Sequence, residues 1–161
     1  MKSSDQSVRR EIKQTRPFPS AAQEAVVALF RTAELMHREI ARVLQPAGIT
    51  PQQYNVLRIL RGAGREGLPT LEIAERMIEQ APGITRLLDR LERKGLVKRE
   101  RCSQDRRRVT CRIAPAGTSL LARLDKIIHA TDERLVPLGE RGTRQFIKQL
   151  DQIRAKLRAS E

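Results

Sequence analysis

Between Ile84 and Ile113 the apolar residues change period, and few folds accommodate such a change. Ile84, Leu87, Leu88 and Leu91 recur at three- and four-residue steps, the spacing of one helix face. Val109, Cys111 and Ile113 instead alternate with Thr110 and Arg112, the spacing of a half-buried strand. Gly95 is placed to close the helix as a left-handed residue just past its end. Residues 98–102 are the natural partner strand, and residues 103–108 make a polar loop rich in cations. Upstream, Thr70 is placed to cap a further helix over residues 71–78, with Ile73, Ala74 and Met77 inward. The chain breaks near Gln80 and Ala81. Pro82 then suits a first helical position because it has no N–H to leave unpaired. Two short helices joined by a tight turn, the second basic on its free face, fit a helix-turn-helix, and a hairpin beside it is a wing.

The charge is concentrated in the same place. Residues 82–112 hold eleven Lys or Arg against four acids, which is +7 of the chain's formal +13 in 31 of its 161 residues. Such an excess is the electrostatic footprint of a polyanion binder, and a solvated charged face is the plainer alternative. Aromatic residues make up 2% of the chain and Trp is absent. Single-stranded sites stack bases on aromatic platforms, so duplex DNA is the favoured partner. Residues 1–16 lack an apolar targeting segment and no later run is long enough to span a bilayer, so the protein is expected in the cytoplasm with no membrane partner. Cys102 and Cys111 make no disulfide framework and are expected to be thiols.

The remaining chain is helical. Residues 1–20 carry no helical stripe and end at Pro17 and Pro19, which reads as a flexible basic N-terminal arm. Over residues 21–44, Val26, Leu29, Phe30, Ala33, Met36, Ile40, Val43 and Leu44 follow helical spacing. Thr50, Pro51 and Gln53 predict a capping box opening a second helix that ends in the run from Gly62 to Gly64. Beyond Pro115, one stripe runs through Leu120, Leu121, Leu124, Ile127, Ile128 and Leu135. A second runs through Phe146, Ile147, Leu150, Ile153 and Leu157, after a break at Pro137 and Gly139. These helices carry more apolar surface than a winged helix needs for its own core, which predicts a self-associating helical lobe. The expected fold is mainly α with a small β-wing: a winged helix-turn-helix over residues 45–115 and a helical dimerisation region over residues 21–44 and 116–158.

In order, these residues resemble the MarR family of bacterial winged-helix transcription regulators, over roughly residues 22–157. The specific part is Ile84-Thr-Arg-Leu-Leu-Asp-Arg-Leu-Glu-Arg-Lys-Gly-Leu-Val97, then Asp105-Arg-Arg107, then Ala116-Gly117. The resemblance implies a homodimer of interlocking N- and C-terminal helices. It also implies a helix over residues 82–94 in the major groove, a wing tip around Arg107 in the adjacent minor groove, and an inverted-repeat operator. Family ligand pockets lie between the dimer lobe and the DNA-reading lobe, which makes Met36, His37 and Tyr54 candidate pocket residues for a small-molecule effector. The family often opens the recognition helix with Ser or Thr, where this chain has Ala81, Pro82 and Gly83. That removes a hydroxyl cap, while Gly83 would let the backbone approach a phosphate closely.

Roles follow from placement. Arg86 and Arg90 stand four apart on the face opposite the Leu stripe. Thr85 and Arg86, near the helix start together with Pro82 and Gly83, are assigned to base edges or adjacent phosphates, and Arg90 to a backbone phosphate. The rival reading leaves both arginines solvated or pairs them with Glu92, Asp89 or Glu66. Arg106, Arg107 and Arg108 form the wing tip, with Asp105 orienting one guanidinium, unless the loop only adds charge. Cys111 shares parity with Val109 and Ile113 and reads as core. Cys102, beside Arg101, has the setting of a reactive thiol, which gives a redox-responsive regulator as one alternative function. A sequence-tolerant architectural DNA-binding protein is another. His37 and His129 lack metal-ligand spacing and the cysteines are eight residues apart, so neither metal nor cofactor is expected. No nucleophile elbow or phosphate-cradling Gly loop points to an enzyme. The reading is a dimeric transcription regulator, in the form of a repressor released by a ligand.

Overall fold

The computed structural model describes residues 7–79, 83–101 and 109–159, with backbone alone at Arg101. Pro82, Cys102 and the wing-tip residues Asp105, Arg106, Arg107 and Arg108 lie outside the described residues. Among the described residues, seven α-helices and three strands run in the order α1 (Val8–Glu11), α2 (Ala21–Leu44), α3 (Pro51–Ala63), β1 (Leu68–Pro69), α4 (Thr70–Arg76), α5 (Ile84–Arg93), β2 (Val97–Arg101), β3 (Val109–Ile113), α6 (Pro115–Leu135) and α7 (Gly139–Arg158). The chain divides into two compact units, residues 1–121 and 122–161.

Local chemistry sets most boundaries in the first unit. Thr50 accepts the Gln53 amide at 3.2 Å while Gln53 accepts the Thr50 amide at 3.1 Å, so the expected capping box opens α3 with Pro51 behind it. Ser20 caps α2 by accepting the Gln23 amide. The last turn of α5 ends on Gly95 at φ 67°, where the Gly95 amide reaches the Glu92 carbonyl at 2.8 Å and the Leu96 amide reaches that of Leu91 at 3.0 Å. This pair of bonds satisfies two carbonyls that the helix end would otherwise orphan.

Three expectations need adjustment. Residues 1–20 contain the four-residue α1, whose Glu11 accepts from Arg31 of α2 at 3.1 Å. Thr70 is the first residue of α4 and does not cap it; Pro69 holds the cap position in extended conformation. The Thr70 hydroxyl lies instead 3.9 Å from the Cys111 sulfur. The reason is a third strand that the sequence pattern does not reveal: Leu68 and Pro69 pair antiparallel with Cys111 and Thr110, giving the order β1-β3-β2. Gly67 makes that pairing close, since a Cβ there would overlap the Cys111 carbonyl.

The first unit's core is built from Leu44, Val56, Leu57, Leu60, Ile73, Leu88, Leu91, Val97 and Cys111, each fully or almost fully buried. Gly117, in the first turn of α6, sits so close to the Leu96 carbonyl that a Cβ would overlap it, which lets that first turn pack against the backbone at Leu96. Burial pushes the Cys111 thiol above its ordinary pKa, partly offset by the Thr70 hydroxyl. A thiol whose folded pKa is raised gives stability that is full below the ordinary thiol range, about 8.5, and is lost as pH rises above it. Urea midpoints are therefore expected to fall between neutral and alkaline pH, and the fall should shrink in Cys111→Ala; an identical slope in both proteins would contradict it.

In the second unit, Leu124, Ile128 and Thr131 of α6 are buried, and Thr131 donates to the Ile127 carbonyl at 2.8 Å. α7 keeps Phe146 and Leu150 half-buried and leaves Ile147, Ile153 and Leu157 exposed. Among the described residues no helix is long and apolar enough to cross a membrane.

Candidate nucleic-acid interface

α4 and α5 form the two-helix element, and α5 carries its chemistry. The helix opens at Ile84 and not at Pro82 as expected, with Gly83 at the N-cap at φ 96°, a conformation that glycine adopts without strain. From Ile84 the helix buries Leu88 and Leu91. Successive residues of a helix turn by about 100°, which puts Thr85 on one flank and Arg86, Arg90 and Arg93 on the outward face. All four are exposed. Neither Arg86 nor Arg90 has a side-chain partner among the described residues.

The acids of α5 are engaged elsewhere. Arg99 of β2 places Nη2 2.6 Å from Glu92 Oε2 and 2.6 Å from Asp89 Oδ1. Its Nε donates to the same Glu92 oxygen at 2.8 Å and its backbone amide to the other at 3.1 Å. The Glu92 carboxylate, with Asp89 second, holds the guanidinium pKa above its ordinary value against the opposing effect of burial. Among the described residues Arg86 and Arg90 therefore do not pair with these acids, and the Glu66 carbonyl accepts from Arg112 at 3.3 Å; of the rival reading, it is the solvated form that two exposed arginines still fit. Arg99 was not among the sequence candidates. Its signal was parity: it shares the inward side of β2 with Val97, where an unpaired cation would be costly.

The turn before α5 is held from two helices. Asn55 Oδ1 of α3 accepts the Ile78 amide at 2.9 Å, and His37 Nδ1 of α2 lies 3.0 Å from Glu79 Oε1. Met36 is half-buried beside His37 in sequence, and Tyr54, also half-buried, accepts from Arg58 at 3.0 Å. Among the described residues no group of three His, Cys, Asp or Glu stands where it could hold a metal ion.

Residues 49–109, which span α3 to the first residue of β3, match the model of the MarR family. The regulator FarR of Neisseria gonorrhoeae, a helix-turn-helix-type transcriptional regulator, is 30% identical over 131 residues, covering 81% of this chain and 86% of FarR. The chain belongs to the MarR family. A MarR transcription factor from Planctomyces limnophilus is 35% identical, with a TM-score of 0.66 over 86% of this chain and 98% of that one. The MepR–DNA complex of S. aureus is 27% identical, with a TM-score of 0.73 over 80% and 96%. A Thauera aromatica protein assigned to regulation of the hcr operon is 31% identical over 110 residues, and the chain spans 65% of its length. Membership of the MarR family makes the chain a transcription regulator rather than an enzyme.

Proposed function

We propose that the protein is a homodimeric, sequence-specific regulator of double-stranded DNA, acting as a repressor that a small-molecule effector releases. The observation that carries this reading is the division of charge on α5: Arg99 engages Asp89 and Glu92, which leaves Arg86 and Arg90 on an exposed helix face with no side-chain partner among the described residues. A helix of this kind suits the major groove, with Thr85 and Arg86 toward base edges and Arg90 toward a backbone phosphate. Pro82 and Gly83 would bring the helix start near the backbone. The wing residues Asp105, Arg106, Arg107 and Arg108 are assigned to the minor groove by sequence alone. Likeness to MepR, solved bound to DNA, supports the docking mode. Dimerisation is supported by uncovered apolar faces: Phe30 of α2 is 71% exposed and Leu157 of α7 is 63% exposed. Exposed apolar surface of this extent on long helices fits burial against a second copy. The same reading divides the chain into helices for pairing, residues 21–44 and 116–158, and a reading head, residues 45–115.

The test is to select DNA fragments from the organism's own genome with the purified protein and titrate the recovered site. An inverted repeat should emerge. Arg86→Ala should lose about 1–3 kcal/mol on that site and far less on random duplex. Arg90→Ala should weaken both alike and lower the salt slope by about one. Equal affinity of the wild-type chain for selected and random DNA would instead mean a sequence-tolerant binder.

A further inference from the structure

Between α4 and α5 stands a residue that its own side chain does not hold. Ile78 is 86% exposed, so apolar packing fixes it hardly at all. Met77 before it leaves α4 in extended conformation, at φ −63° and ψ 139°, with its side chain buried. Beyond that departure the Ile78 amide donates to Asn55 Oδ1 of α3 at 2.9 Å. Of the two ends of an Asn side chain only the oxygen can accept, so this bond sets both where the amide sits and which way it points. Ile84 opens α5 six positions later.

Asn55 is a firm anchor for that bond. Its neighbours on α3, Val56, Leu57 and Leu60, are fully buried in the core of the first unit, and the capping box fixes where the helix starts. The other hold on this stretch is weaker. His37 Nδ1 and Glu79 Oε1 lie 3.0 Å apart, but both side chains are nearly half exposed, and solvent and salt screen a pair in that setting. A bond from an amide to a side-chain carbonyl involves no net charge and is not screened in this way. Among the described residues, Met77 therefore holds the exit from α4 by packing, and Asn55 holds its direction.

We propose that Asn55 is a positioning residue for the reading helix, and that by fixing the Ile78 amide it governs discrimination between DNA sequences more than attraction to DNA as such. The role in discrimination rests on the DNA reading above. Contacts with base edges depend on the angle and depth at which α5 presents Thr85 and Arg86, whereas attraction between cations and phosphates tolerates displacement. A reading helix freed from Asn55 keeps its charge and loses its aim.

Two measurements on the full chain test this, the first without DNA. In hydrogen exchange, the Ile78 amide should be protected in the wild type, exposed in Asn55→Ala and protected again in Asn55→Asp, whose carboxylate keeps an acceptor oxygen in place. The α5 amides of Leu87 and Leu88 should open about tenfold more readily in Asn55→Ala, with those of α7 unchanged. On DNA at matched salt, Asn55→Ala should lose about tenfold on the selected site and about twofold or less on random duplex, with the salt slope unchanged. Asn55→Asp should recover most of that loss. Ile78→Ala, which removes the exposed side chain and keeps the amide, should match the wild type. Free exchange of the Ile78 amide in the wild type overturns the tie, as does a loss in Asn55→Asp as deep as in Asn55→Ala. Equal losses on selected and random DNA, or no loss on either, overturn the positioning role. Exchange that follows the expected pattern in a chain whose wild type binds selected and random DNA alike overturns the proposed function and upholds the hold of Asn55 on α5.

Discussion

Leu88→Ala is expected to cost about 2–5 kcal/mol of folding stability, the range for truncating a fully buried Leu. Leu88 is 0% exposed and lies on the face of α5 opposite Arg86 and Arg90. A domain of ordinary stability has about 5–15 kcal/mol in total, so the variant should unfold at markedly lower urea. The loss should concentrate in the reading head, since Leu88 fixes how α5 sits on the core. Hydrogen exchange is the discriminating measurement: amides of α5 should open far more readily, while those of α7 in the second unit keep their protection. Uniform loss of protection through both units would show that the two unfold together.

Arg99→Ala is the second large effect. Charged hydrogen bonds contribute roughly 1.5–3 kcal/mol, and the lower end applies here because the Asp89 and Glu92 carboxylates are each more than a third exposed and partly screened by solvent. The effect on DNA should exceed what that destabilisation alone would produce. One cation is removed, and two carboxylates are released onto the flank of α5 beside Arg86 and Arg90, where they can pair with those arginines and repel phosphates. Arg99→Lys should recover only part, because an ammonium cannot fork between two acids as the guanidinium does. Affinity measured for the three proteins at matched salt decides it; an Arg99→Ala protein that folds and binds DNA as the wild type does would show that Arg99 has no part in the interface.

The sequence showed what local chemistry governs. The capping box at Thr50 and Gln53, the turn at Gly95 and the strand over Val109–Ile113 are all short-range patterns, and each reappears in the structure, although of that strand only Cys111 is buried. Thr70 looked equally like a cap, yet pairing of Leu68 and Pro69 with β3 places its hydroxyl beside Cys111, and nothing near Thr70 in sequence reports that pairing. A two-residue strand ending in Pro has too little pattern to be read. The same limit applies to the site. The basic face of α5 was legible from spacing, whereas the partner of its acids lay across a turn on β2 and could be found only by weighing the parity of Arg99. α1 has too few apolar residues to announce a helix, and its pairing with Arg31 is a long-range contact.

The moorings of α5 have a mechanical consequence. Just before it, Glu79 meets His37 of α2; at its end, Lys94 grips the Gly48 carbonyl, four residues past the end of α2. The helix is thus tied at its approach to α2 and α3, and at its end to the turn that joins them. Rolling α5 about its own axis would strain one tie or another, whereas a movement that carries α2, α3 and α5 together disturbs none of them. A force applied to that trio of helices therefore turns α5 as part of one body, with Arg86 and Arg90 still facing outward.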